Sequence, residues 1–189
     1  MNPIRSLLVV TLAVVCILTG CHSPKTSPRS ANIAGQSTRD NCYSLLHQLL
    51  ADQKNVGLLR FIKREESDVK KLVKKIAASS ADGAKLLEEL AKHDPPINLD
   101  DLQLPPGETA TRSAIASTKK KELLGQSGDR FELSLLLTQA QALSYASHLA
   151  KTAAVNEPRP DRARALASVS ADMESLNQEV FELLLSRTK

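Results

Sequence analysis

From about Thr38 onward, apolar residues recur at helical spacing and mark out four long amphipathic segments. Leu45, Leu46, Leu49, Leu50, Val56, Leu59 and Ile62 predict a first helix over 39–63, with Asp52 interrupting the stripe and Asn55 and Gly57 weakening it. Ser67 and Asp68 read as the start of a second helix, whose apolar row is Val69, Leu72, Val73, Ile76, Ser80, Ala84, Leu87 and Leu90. It must stop before Asp94-Pro95-Pro96, because proline cannot continue a helix and restricts the residue before it. A third long helix starts near Ser127 with the seam Phe131, Leu135, Thr138, Ala142, Tyr145 and Leu149, widened by Leu136, Leu137, Ala140 and Ala146, and ends before Pro158 and Pro160. The fourth covers about 161–187 along Leu166, Val169, Met173, Leu176, Val180 and Leu183.

Residues 94–109 are an irregular connection pinned by Ile97, Leu99, Leu102 and Leu104, followed by a short helix over about 111–124 and a turn at Gly125 and Gly128. No segment alternates with period two, so no sheet is expected. The pattern predicts an all-α domain over 39–189: a four-helix bundle with a long crossover between its second and third helices.

The first 38 residues differ. Arg5 is followed by an uncharged, mainly apolar run from Leu7 to Leu18 and then by Thr19, Gly20 and Cys21. A spanning helix needs about 20 apolar residues, and this run is shorter. A positive start, a short apolar core and small residues at its end describe a secretory signal over 1–20. Leu18-Thr19-Gly20-Cys21 closely resembles the lipobox of bacterial lipoproteins. That resemblance implies lipid on Cys21, with two or more acyl chains giving stable anchoring where one gives only marginal binding. His22, where Asp would favour retention at the inner membrane, leans toward the outer membrane in a cell that has two. Residues 21–38 are rich in Ser, Pro and Thr, and read as a flexible tether.

Composition adds little to this picture. The chain has 189 residues, only 3% of them aromatic, and a formal charge of +4. That bias is too weak to argue for a nucleic-acid partner. The lysines do cluster, at Lys70-Lys71, Lys74-Lys75 and Lys119-Lys120-Lys121, with Lys63-Arg64 nearby in sequence. On a tethered domain they are candidate contacts for anionic lipid or another envelope polyanion; a solvated helix face is the plainer reading.

Residues 69–91 and 128–149, including Gly128, Phe131-Glu132 and Gln139, resemble the bacterial ferritin-like "predicted outer membrane protein" family of unknown function. The resemblance covers about 40–187 and implies a ferritin-like bundle behind a signal or lipoprotein leader. Members carry one histidine in the second helix and one in the third; the corresponding positions here hold Ser80 and Leu143. A metal role does not carry over.

The rest of the chain offers few chemical groups. There is no Glu-x-x-His, which a di-iron bundle needs twice, and no Cys-x-x-Cys or phosphate-cradling glycine loop. Glu89 and His93 are four apart on one helix and read as a surface pair. Tyr145 and His148 are the only nominees for a haem, metal or small-molecule site, against the plainer reading of a buried, hydrogen-bonded core pair. Cys42 is a lone thiol once Cys16 leaves with the signal and Cys21 is acylated. It is a candidate for an intermolecular disulfide or, more simply, a small buried apolar side chain. The sequence therefore points to a non-enzymatic envelope lipoprotein without a cofactor, whose helices contact an envelope protein or anionic lipid. The oligomeric state is open.

Overall fold

The computed structural model describes residues 28–55 and 67–187, which are all-helical without a strand. Five helices follow one another: α1 Pro28–Gln53, α2 Ser67–Lys92, α3 Pro106–Gly125, α4 Gly128–Val155 and α5 Pro160–Ser186. The count is five rather than four because the short helix expected over 111–124 is a full helix of 20 residues. It begins five residues early, on a proline at its first position, where a missing N–H costs nothing, with Glu108 against the positive end of the helix dipole.

α1 departs most from expectation. Its end at Gln53 is fixed by a turn in which the Lys54 and Asn55 N–H groups donate to the Leu50 and Asp52 carbonyls, while the Asn55 amide donates to Ala51. Residues 56–63, the rest of the expected helix, lie outside the described residues. At the other end α1 already runs from Pro28, so residues 28–38, expected as part of the tether, are helical. Each further turn is added to one already nucleated by the packed segment beyond Arg39, which removes the main obstacle to extending a polar helix. Residues 1–27, with the signal-like run and Cys21, lie outside the described residues. None of the described helices is long and apolar enough to cross a membrane.

The most extensive packing is between α4 and α5; α1 packs on α4 and α2, and α2 on α5. α3 lies outside these four, mainly against α4. Neighbours run antiparallel. Tyr43 of α1 faces Glu157 after α4, Ser147 of α4 faces Ser170 of α5, and Lys75 of α2 faces Glu179 of α5. α1 and α2 approach closely where Gly83 faces Leu50; a Cβ there would stand 2.9 Å from Leu50 Cδ1. α2 and α4 thus run the same way, and residues 93–127 carry the chain back along the length of α2. This geometry defines a Tyr43 end and an Arg187 end.

The expected apolar rows of α2 and α5 are buried, apart from Leu183, which is half-buried beside buried Leu184. Each large buried aliphatic contributes roughly 1.5–3 kcal/mol. α4 is turned part of the way off its expected seam: Phe131, Leu135 and Leu149, with Leu136, Ala140 and Ala146 beside them, are buried as expected, but Leu137 is exposed. Glu132, Leu136, Gln139, Leu143, Ala146 and Ala150 are all buried, while Thr138, Ala142 and Tyr145 are only half-buried.

Candidate interaction surface

The turn of α4 decides where Tyr145 and His148 lie. They are not a buried core pair. His148 is exposed with Nδ1 2.8 Å from the Ser144 carbonyl. Tyr145 is half-buried and accepts a 2.6 Å hydrogen bond from Arg112 of α3, whose guanidinium lies 5.0 Å from the ring centroid. Both line a shallow concavity of about 560 Å³ on the outer side of α4 and α5, with Leu137, Ala140, Asn177 and Phe181.

The other nominated groups are dispersed. Cys42 is buried in α1, and burial pushes its thiol above the ordinary range, the environment of a packed side chain. Glu89 pairs with Lys92 rather than His93, and the Lys92 ammonium holds its carboxyl below the usual carboxylate range. His47 contacts Glu88 at 3.1 Å. Ser80 and Leu143 are fully enclosed. Among the described residues no three His, Cys, Asp or Glu side chains are grouped to hold a metal ion.

The most deeply buried polar cluster went unnoticed in the sequence. Arg162, in the first turn of α5, is 0% exposed. Its Nη2 is 3.1 Å from Glu157 Oε2, and its Nη1 donates to the carbonyls of His93 and Pro95, past the C-terminus of α2. The Tyr43 hydroxyl donates to Glu157 and accepts from Arg162 Nε. Burial pushes this hydroxyl above its ordinary pKa, opposed by Arg162. Arg159 adds a 2.8 Å bond to the Asp94 carbonyl, and its backbone N–H donates to Glu157. The cluster ties α1, α2 and the α4–α5 turn together, and its charges are spent on one another and on backbone carbonyls, so it reads as structural. Its signal was present, since Arg162 precedes Leu166 by four residues on the α5 seam, as Tyr43 precedes Leu46 and Leu50 on α1.

At the opposite end Arg187 joins Asp68 of α2, at 2.9 Å, to buried Glu132 of α4. Around this end the surface changes character. Ile115, Leu124, Leu133, Leu137, Phe181 and Leu185 are exposed, whereas Val155 is the one large exposed apolar side chain in the Tyr43 half among the described residues. Leu133 and Leu137 are one turn apart on α4, as are Phe181 and Leu185 on α5, and the two pairs run side by side. Lys70, Lys71, Lys74 and Lys75 are exposed on α2 at the same level, and Lys119, Lys120 and Lys121 on α3. The structure therefore places both predicted lysine clusters at the Arg187 end.

Compared with models of known families, with curated proteins and with solved structures, the chain matches none.

Proposed function

We propose that the chain is a lipid-anchored helical module of the bacterial cell envelope that works by holding a protein partner, not by catalysis. The observation that carries this reading is the concentration of exposed large apolar side chains on adjacent turns of α4 and α5. Contiguous apolar patches rimmed by polar residues mark contact sites on soluble domains. The leader with Leu18-Thr19-Gly20-Cys21 supports acylation of Cys21, and His22 supports the periplasmic side of the outer membrane. α1 enters at the Tyr43 end, so an anchor upstream of it would leave the apolar patch on the half away from the bilayer. The ferritin-like, four-helix reading is supported by the antiparallel packing of α1, α2, α4 and α5, with α3 carried in the crossover.

Two measurements test this. Metabolic labelling with a fatty acid should mark the full chain and fail on Cys21→Ala, which should also leave the membrane fraction. Cross-linking in intact envelopes should then join the acylated chain to a second protein. A chain that takes up no label, or that cross-links to nothing, contradicts the corresponding half of the reading.

A small-molecule, metal or haem site is the second reading, supported by the concavity that Tyr145 and His148 share. Stoichiometric metal or a haem band in the purified full chain would establish it.

A further inference from the structure

The apolar patch lies in a half of the domain where lysines outnumber free carboxylates. α2 packs on α5, and α3 on α4. Contacts fix the levels. Lys75 meets Glu179, and Asp68 meets Arg187, so Lys70 to Lys75 lie beside the turns that carry Phe181 and Leu185. Arg112 meets Tyr145, and α3 turns into α4 at residues 126–127, so Lys119 to Lys121 lie beside the turns that carry Leu133 and Leu137. The lysine-bearing turns of α2 and α3 thus lie at the same level of the bundle as the apolar strip.

Charge across the molecule points the same way. Residues 67–80, 114–142 and 175–187, the Arg187 half, contain nine basic and six acidic residues; residues 28–55, 81–113 and 143–174 contain ten basic and thirteen acidic. Within the Arg187 half several carboxylates are already occupied: Asp68 and Glu132 by Arg187, Glu179 by Lys75 and Glu122 by Lys119. Glu182 and Asp129 remain, against Lys70, Lys71, Lys74, Lys120, Lys121 and Arg130. Among the described residues no ion pair joins these five lysines to a carboxylate.

We propose that this face binds an acidic amphipathic helix of a partner protein, seated with its apolar side on Leu133, Leu137 and Phe181 and its carboxylates against the lysines of α2 and α3. This rests on the interaction-module reading and names the partner's chemistry. The shape favours a helix over a flat bilayer. The strip and the concavity that continues it extend along α4 from Leu133 to His148, about 22 Å at 1.5 Å per residue, the length of a helix of roughly 15 residues. A helix laid in such a groove presents anchors at i, i+3, i+4 and i+7. Opposite charges along its borders set register and orientation and make the association salt-dependent.

The test uses the full acylated chain in detergent and two synthetic helices of about 15 residues with the same leucine face, one bordered by glutamates and one by lysines. The glutamate helix should bind, more weakly as salt is raised, and the lysine helix should bind at least roughly tenfold less well, a difference of about 1.4 kcal/mol. Leu137→Asp with Phe181→Asp should abolish binding. The combined Lys71→Glu, Lys74→Glu, Lys120→Glu and Lys121→Glu variant, altered only at exposed positions, should exchange the preference for the two helices while keeping its helical circular dichroism. Equal binding of both helices, or binding of neither, would overturn the proposal. So would displacement by vesicles of anionic lipid, or a dimer that Leu137→Asp splits, because each assigns the face to another occupant. Should envelopes yield a cross-linked partner held through the Tyr43 half alone, this proposal fails and the interaction-module reading survives; a chain without any partner removes that reading itself.

Discussion

The two halves of the domain invert the usual placement of polar and apolar groups. At the Tyr43 end an arginine, a glutamate and a tyrosine are enclosed and paired with one another. At the Arg187 end leucines and a phenylalanine face solvent. The first arrangement is tolerable only because the charges are paired and the arginine also meets backbone carbonyls; leaving one member alone exposes the others to the full cost of burial. The second costs free energy in the isolated domain and makes sense if something covers it. The Tyr43 end therefore holds the fold, and the Arg187 half is where a function in binding can reside.

Substitutions can break or sharpen this contrast. Arg162→Met should have the largest effect, a loss of about 3–5 kcal/mol in urea unfolding, because Glu157 and the His93 and Pro95 carbonyls keep their burial and lose their donor. Unchanged stability would mean that the cluster is incidental. Tyr43→Phe removes only the bridging hydroxyl and should cost about 1–3 kcal/mol. Tyr43 also fixes a pH dependence. Its folded pKa is raised above 10.0, so the fold favours the neutral hydroxyl. The associated stability is complete below pH 10 and is lost as pH climbs through the raised value. Unfolding midpoints measured from pH 8 upward should fall for the wild type above pH 10 and fall less for Tyr43→Phe.

Gly128, at φ 59°, opens α4 in a backbone region that L side chains avoid. Gly128→Ala should cost about 1–2 kcal/mol and loosen α3 from α4, seen as faster amide exchange in α3. The smallest effect belongs to the exposed face: Leu137→Gln and Phe181→Gln should each change stability by no more than about 0.5 kcal/mol. A large loss from either would make that face part of the core and erase the contrast.

How much of this was legible follows from the physics of each signal. α2 and α5 were readable to within a residue or two, because one face is apolar, the other charged, and proline bounds α5 at its start. The start of α1 was not, since Ser, Asn, Gln and Thr give no apolar period, and helix grown from a packed segment needs none. The rotation of α4 was hidden by Leu133, Leu135, Leu136 and Leu137. With leucine on every side, periodicity cannot choose the buried face, and the same ambiguity hid the exposed strip. The Tyr43 cluster joins residues 114 and 119 positions apart, and Glu157 lies in a turn where no period operates. The lysine clusters were plain in the sequence, but their common position at one end depends on the antiparallel packing of helices distant along the chain.

The most direct test is position-resolved photo-cross-linking in the intact envelope, with the reactive group placed at Leu137 or Phe181 and, for comparison, at Lys85 or Arg164 in the Tyr43 half. The account predicts one discrete protein adduct from Leu137 and Phe181 and none from Lys85 and Arg164. Adducts confined to Lys85 and Arg164, or equal from all four positions, would contradict it.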